Sequence, residues 1–196
     1  MDEMKSAFER AMERADSLGK ASEEDRRKWK YRPEGERLAA EYLRDETDLS
    51  VELAKFDDEA RAHVVEGAQA ILVRNLGLPK DGAAKSTNKK AMEAIKELKR
   101  DKVAVENVFT KMRRIFNHYE QEGEQQRRQA YEEVKREVEG KIRQAMQQQM
   151  GASAPERINV EAQPQFQQEW RHVVARLDSQ YVTLLEEYKQ EMLSIP

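Results

Sequence analysis

The sequence contains no cysteine. Disulfide bonds, thiolate metal sites and cysteine nucleophiles are therefore excluded, and a cytoplasmic location is the simplest expectation. No apolar run approaches the roughly 18 residues that a membrane-spanning helix needs, so we predict no transmembrane segment. The N-terminal stretch MDEMKSAFERAMER is charged throughout and has no apolar signal-peptide core.

Large apolar residues are also scarce. Leu, Ile, Val and Phe make up 37 of the 196 residues, which is too few for a thick globular core. Charged residues reach 37%, yet 35 bases and 38 acids leave a formal charge of only −3. Balanced charge with few apolar residues favours long, thin helices over disorder.

The stretch GLPKDGAAKS at residues 77–86 has some features of a nucleotide-binding loop. Two alanines separate Gly82 from Lys85, whereas a phosphate-binding loop needs glycine and lysine to be adjacent. The residues before it have helical spacing, whereas the true loop follows a buried strand. We therefore predict that Gly77 ends a helix in the left-handed conformation, and that Ser86 or Thr87 caps the next helix.

Several short helices are predicted in the N-terminal region. Apolar residues at helical spacing indicate a first helix over residues 3–18. Ser22, followed by three acids, caps a second helix that is expected to end by Pro33. Further helical spacing covers residues 34–46 and 58–76.

The C-terminal half predicts longer helices. Residues 88–121 contain no Gly or Pro and form one amphipathic pattern, which continues through residue 149, so one helix or two can cover residues 88–150. Both segments of residues 124–193 repeat their apolar positions every eleven residues, which predicts an antiparallel helical hairpin. We expect its seam to comprise Tyr131, Val134, Val138, Ile142, Trp170, Leu177, Tyr181, Leu184 and Tyr188.

These patterns predict an all-α fold. Short N-terminal helices over residues 1–76 are expected to be followed by a Gly/Pro linker over residues 77–87. A long helix and the hairpin then occupy residues 88–196, giving an elongated, coiled-coil-like arrangement.

Two groups of cations form a candidate patch for an anionic partner. Cations and aromatics alternate in the segment RRKWKYR, a composition that suits RNA or a membrane interface. Alternatively, Trp29 packs on neighbouring helices while the charges reach water. Residues 80–114 carry a net charge of +6 and residues 34–66 a net charge of −7, so the basic helix either packs near acidic helices or binds an acidic partner. The patch comprises Arg26, Arg27, Lys28, Trp29, Lys30, Tyr31, Arg32, Lys85, Lys89, Lys90, Lys96 and Lys99.

The long connection GASAPERINVEAQPQ gives the hairpin a second candidate contact. Ile158 and Val160 alternate with polar neighbours there. They either fold back on the helix ends or present themselves to a partner at the hairpin tip.

No constellation for catalysis stands out. Glu169 and His172 form half of a di-iron motif, and the other histidines lack the matching glutamate. We predict no catalytic residue, metal, cofactor or small-molecule substrate. The expected function is a non-enzymatic scaffold or adaptor that binds a protein partner or a second copy of itself; the alternative is an RNA- or ribosome-associated factor.

Overall fold

The computed structural model describes residues 22–150 and 159–196. Within these residues the chain forms seven α-helices and no strand, which confirms the all-α fold class. The predicted helix over residues 3–18 lies outside the described residues. The helices are α1 (Glu23–Leu43), α2 (Leu49–Leu53), α3 (Asp58–Arg74), α4 (Gly82–Leu98), α5 (Lys102–Glu120), α6 (Glu122–Met150) and α7 (Pro164–Ser194).

The chain divides into two compact units, of which the first ends at Val73 and the second spans Arg74–Pro196. The predicted domain boundary after residue 76 stays a prediction. The three helices α1 to α3 belong to the first unit, apart from the last residue of α3. The four helices α4 to α7 belong to the second unit.

The predicted cap of α1 is confirmed, but its predicted end is wrong. Ser22 and Asp25 form a capping box, in which the Ser22 hydroxyl oxygen accepts from the Asp25 N–H at 3.0 Å. The helix continues through Pro33 to Leu43. A proline inside a helix costs about 3 kcal/mol. Here the residues just after Pro33 pack on α3, and this burial offsets the cost.

Two glycines allow α1 and α3 to touch backbone to backbone. A methyl group on Gly35 would overlap the carbonyl oxygen of Val64 and lie 2.9 Å from the backbone nitrogen of Ala68. Conversely, a methyl group on Gly67 would overlap the carbonyl oxygen of Arg32. Each helix therefore supplies one glycine to the same crossing, and no larger residue fits either position.

The loop before α4 differs from its prediction. Helix α3 ends at Arg74, and Gly77 does not adopt the left-handed conformation. Instead, the Asn88 side chain accepts from the Gly77 N–H at 2.8 Å and donates to the Gly77 carbonyl at 2.7 Å. Helix α4 begins at Gly82, inside the predicted linker, because the Asp81 carboxylate caps it at the Ala84 N–H.

The long helix predicted over residues 88–121 is interrupted between Leu98 and Lys102. Asp101 caps α5 by accepting from the N–H groups of Val103 and Ala104. The Arg100 N–H donates to the carbonyl of Pro196 at 3.1 Å. A side-chain cap and a contact with the C-terminus therefore hold a turn where the sequence indicated continuous helix.

The helical pattern is interrupted a second time at Gln121, between α5 and α6. The two helices follow each other directly and together form one long helix that bends at this residue. Residues 88–150 therefore contain the greater part of α4 and all of α5 and α6, whereas the sequence left open whether one helix or two covers them. Helix α7 packs on both halves of the bent helix, with its N-terminal part against α6 and its C-terminal part against α5.

The hairpin between α6 and α7 is confirmed for the first part of its predicted seam. The rings of Tyr131 and Trp170 meet edge to face, with centroids 5.1 Å apart. Val138, Val160 and Phe166 form the buried core, with Val134 and Ile142 packed against it.

The predicted seam is wrong for its last three residues, Tyr181, Leu184 and Tyr188. Tyr181 packs on Tyr119 of α5, and Tyr188 lies beside Lys111 of the same helix. Leu184 is 43% exposed, while its neighbour Leu185 is buried. At the bend, the buried face of α7 stops packing on α6 and begins to pack on α5. The C-terminal half of α7 therefore does not belong to the hairpin.

Candidate functional site

The basic segment of α1 is partly neutralised inside its own unit. Three of its five cations meet acids of α1 and α3, which reduces the positive charge that is available to an anionic partner. The pairs are Arg27 with Glu59, Lys28 with Glu66 at 2.9 Å, and Arg32 with Glu36 at 3.4 Å.

The aromatic residues of this segment do not form one stacking surface. Trp29 is 67% exposed, whereas Tyr31 is half-buried with its ring edge-to-face on Phe56. Arg26 and Lys30 line a cavity of about 330 Å³ together with Asp57, so the charges around it are mixed. The structure therefore brings four of the predicted RNA-binding residues to one cavity but places acids beside them, and RNA binding stays a prediction from the sequence.

The lysines predicted on α4 lie in several different environments. Lys85 pairs with Glu120, and Lys96 lies 3.3 Å from Glu106. Lys89 is exposed and Lys90 is half-buried. These lysines do not form a continuous cationic face.

Lys99 is buried, which contradicts its predicted place in a surface patch. Its ammonium donates to the carbonyl oxygen of Ile195 and lies 3.5 Å from that of Leu193. It therefore satisfies carbonyl groups at the C-terminus of α7, where the helix dipole favours a cation. Burial lowers the pKa of Lys99 below its usual range.

A cavity of about 340 Å³ lies between α4 and α5. Met92 and Phe116, both nearly buried, line it together with Pro79. The charged residues around it are already paired in part, because Lys85 binds Glu120 and Arg113 binds Glu106. Two of the predicted lysines, Lys85 and Lys89, line this cavity, and acidic residues line it as well.

A polar and aromatic cluster supports the bend between α5 and α6. The Arg127 guanidinium lies 4.1 Å from the centre of the Tyr119 ring and donates to the Tyr119 carbonyl at 3.1 Å. This hydrogen bond joins α6 to the last turn of α5. Burial, together with the nearby Asp178 carboxylate, raises the pKa of Tyr119 to about 12.

Asp178 is the buried acid of this cluster. It forms an ion pair with the Lys80 ammonium at 2.7 Å, and both of its carboxylate oxygens are buried. On the exposed side, His118 Nδ1 lies 2.9 Å from the Tyr181 hydroxyl. The contacts of Arg127 with Tyr119 and of His118 with Tyr181 join α5 to α6 and α7, which indicates that the cluster holds the bend in place.

A groove of about 250 Å³ runs between α6 and α7 on one side of the hairpin. Its floor is apolar and consists of Ala130, Val134, Val138 and Val173. Of these four, only Val138 is fully buried. The groove therefore leaves part of the hairpin seam open to solvent.

Exposed charged residues line both edges of this groove, which we call the α6–α7 groove. They are Glu133, Glu137 and Lys141 on α6, and Glu169 and Arg176 on α7. Within residues 22–150 and 159–196, none of these five side chains makes an ion pair or hydrogen bond. By contrast, Lys135 on α6 binds Glu161 at 2.7 Å beside the same hairpin core. An apolar floor with charged residues at its edges has the same arrangement as the apolar core and polar rim of protein–protein interfaces.

The candidate contact at the hairpin tip is only partly described. Val160 is 3% exposed and packs with Val138 and Phe166, so it folds back on the helices and is not available to a partner. Ile158 lies outside the described residues.

Sequence analysis missed the charged edge of the α6–α7 groove. Glu133 and Glu137 are one turn apart and directly precede Val134 and Val138, so a local pattern did exist. Its meaning depends on Glu169 and Arg176, which α7 brings to the opposite edge. Only the pairing of the two helices reveals the groove.

No helix in the described part of the chain is both long enough and apolar enough to cross a membrane. Residues 50–194 match the family described as "Family of unknown function (DUF6657)". The chain belongs to this family. The DUF6657 match includes all of α3 to α7, and therefore both helices of the α6–α7 groove. No curated protein and no solved structure matches the chain.

Proposed function

We propose that the protein is a non-enzymatic helical adaptor that binds another protein through the α6–α7 groove. The observation that carries this proposal is the apolar floor of the groove, bordered by five exposed charges without partners among the described residues. Amphipathic helices commonly dock into such grooves, because burying their apolar stripe removes both surfaces from water.

The shape of the hairpin supports this proposal. The helices α6 and α7 pack on each other over one seam, and among the described residues their common core contains three buried side chains, those of Val138, Val160 and Phe166. A third helix in the groove would cover Ala130, Val134 and Val173. It would thereby complete a three-helix arrangement of the kind that buries apolar stripes in helical bundles.

The proposal is tested by filling the groove. Ala130→Arg places a long side chain on the floor without removing a helix-forming residue. We expect wild-type protein to retain a partner from native lysate after cross-linking, and Ala130→Arg to lose most of it, because the added side chain occupies the docking surface.

The matched control is Ala145→Arg, which changes an exposed alanine on the same helix one turn beyond Lys141, outside the residues that line the groove. It should retain the partner as wild type does, and circular dichroism should show equal helix content in all three proteins. Equal retention by Ala130→Arg and Ala145→Arg, or no partner with any of them, would count against the proposed function.

A further inference from the structure

We infer that the partner of the α6–α7 groove contributes an amphipathic helix whose apolar stripe is flanked by basic residues in its middle turns. This inference rests on the proposed function and identifies the chemistry of the partner. It follows from the order of the charges along the groove.

The acids occupy the centre of the groove. Tyr131 contacts Trp170, so the residues next to them, Glu133 on α6 and Glu169 on α7, lie at about the same level on opposite edges. Glu137 follows one turn further along α6. Three carboxylates therefore surround the central part of the apolar floor.

The cations occupy the two ends. Lys141 lies two turns beyond Glu133 on α6, and Arg176 lies two turns beyond Glu169 on the antiparallel α7. At ~1.5 Å per residue, the distance along the groove between these cations is about 22 Å. A partner helix of about 15 residues spans it, with basic residues facing the three central acids and acidic residues or the helix C-terminus facing the cations at the ends.

The same charge order disfavours a second copy of the hairpin as the occupant. A twofold axis through the centre of the groove would bring Glu133 and Glu169 of one copy against the same acids of the other. Like charges facing each other across an interface reject a partner. A helix from a different protein, with lysine or arginine at these positions, removes this repulsion.

The test uses three synthetic helical peptides of about 18 residues that share one leucine stripe. Lysine, glutamate or glutamine flanks the stripe, and fluorescence anisotropy measures the binding of each peptide to the full chain. We expect the lysine peptide to bind most tightly, the glutamate peptide to bind at least about tenfold more weakly, and added salt to reduce the difference.

Charge-neutral variants test whether the groove causes this preference. Glu133→Gln with Glu169→Gln should weaken binding of the lysine peptide about fivefold, since two exposed ion pairs are lost. The control pair, Glu132→Gln with Glu187→Gln, removes the same charge from α6 and α7 outside the groove. It should leave binding unchanged.

The outcomes distinguish this inference from the proposed function. Equal binding of all three peptides, abolished by Ala130→Arg, overturns the basic-helix inference and supports the groove as a docking site. Absence of peptide binding, while Ala130→Arg still loses the cellular partner, also overturns the inference alone. Tight peptide binding that Ala130→Arg does not affect overturns both.

Discussion

Phe166→Ala is expected to lower the free energy of unfolding of the α6–α7 hairpin by about 3 to 5 kcal/mol. Phe166 is 2% exposed and is the largest of the three buried residues in the hairpin core. Its ring meets the edge of Tyr131 at a centroid distance of 5.3 Å. Because few residues are buried between the two helices, neighbouring side chains fill only part of the cavity that the substitution leaves.

Urea unfolding followed by tryptophan fluorescence measures this loss. The Trp29→Phe background leaves Trp170 in the hairpin as the only tryptophan. Leu184→Ala is the matched control, because Leu184 is 43% exposed and should cost less than about 1 kcal/mol. If Phe166→Ala is no more destabilising than Leu184→Ala, the hairpin core is wrongly assigned.

Gly35→Ala is expected to destabilise the first unit by about 3 kcal/mol, at the upper end of the range for overpacking. The added methyl group meets the backbone of α3 at Val64 and Ala68, which cannot rotate away as a side chain can. Helices α1 and α3 must therefore separate. Gly67→Ala should have a similar effect, because its methyl group meets the backbone of α1 at Arg32.

Amide hydrogen exchange measures this effect helix by helix. Exchange in α1 and α3 should accelerate by about two orders of magnitude, which corresponds to the expected loss of stability. Gly140→Ala is the control, since a methyl group there meets no neighbouring atom within 4 Å and should gain up to about 1 kcal/mol from helix propensity. Equal exchange in the Gly35 and Gly140 variants would exclude the close crossing.

The features that sequence analysis predicted correctly depend on local patterns. Ser22 and Asp25 form their capping box within one turn, and three- and four-residue spacing identified the faces of Tyr131 and Trp170 that meet. Charge balance and scarce apolar residues led to the all-α class. In each case the evidence lies within one helix, or in the composition of the whole chain.

The features that sequence analysis missed depend on contacts between residues that are far apart in the chain. Helix α1 passes Pro33 because Gly35 packs on α3, and Lys99 is buried because carbonyl groups 94 and 96 residues later need a donor. The sequence pattern placed Leu184 in the hairpin seam, whereas Leu185 is the buried residue, because α7 packs on α5 and no longer on α6 beyond the bend. Spacing along one helix cannot show which neighbour each part of that helix meets.

For the candidate sites too, sequence analysis found what depends on local patterns and missed what depends on contacts between distant segments. Apart from Lys99, which follows the end of α4, the residues of the predicted cationic patch do lie on helices, but acids on α3 and α5 pair with several of them. The α6–α7 groove was not predicted, because its two edges come from segments that are separated by the hairpin connection.

The absence of native cysteine allows the most direct test of the α6–α7 groove as a binding surface. Glu137→Cys places one thiol on the edge of the groove, and Glu132→Cys places one on the same helix outside it. The rate of thiol labelling is measured for each purified variant and again in native lysate. The groove thiol should react about tenfold more slowly in lysate, as expected when the partner is present well above its dissociation constant, and the control thiol should not change. Equal labelling rates of the groove thiol in both conditions would contradict the proposed function.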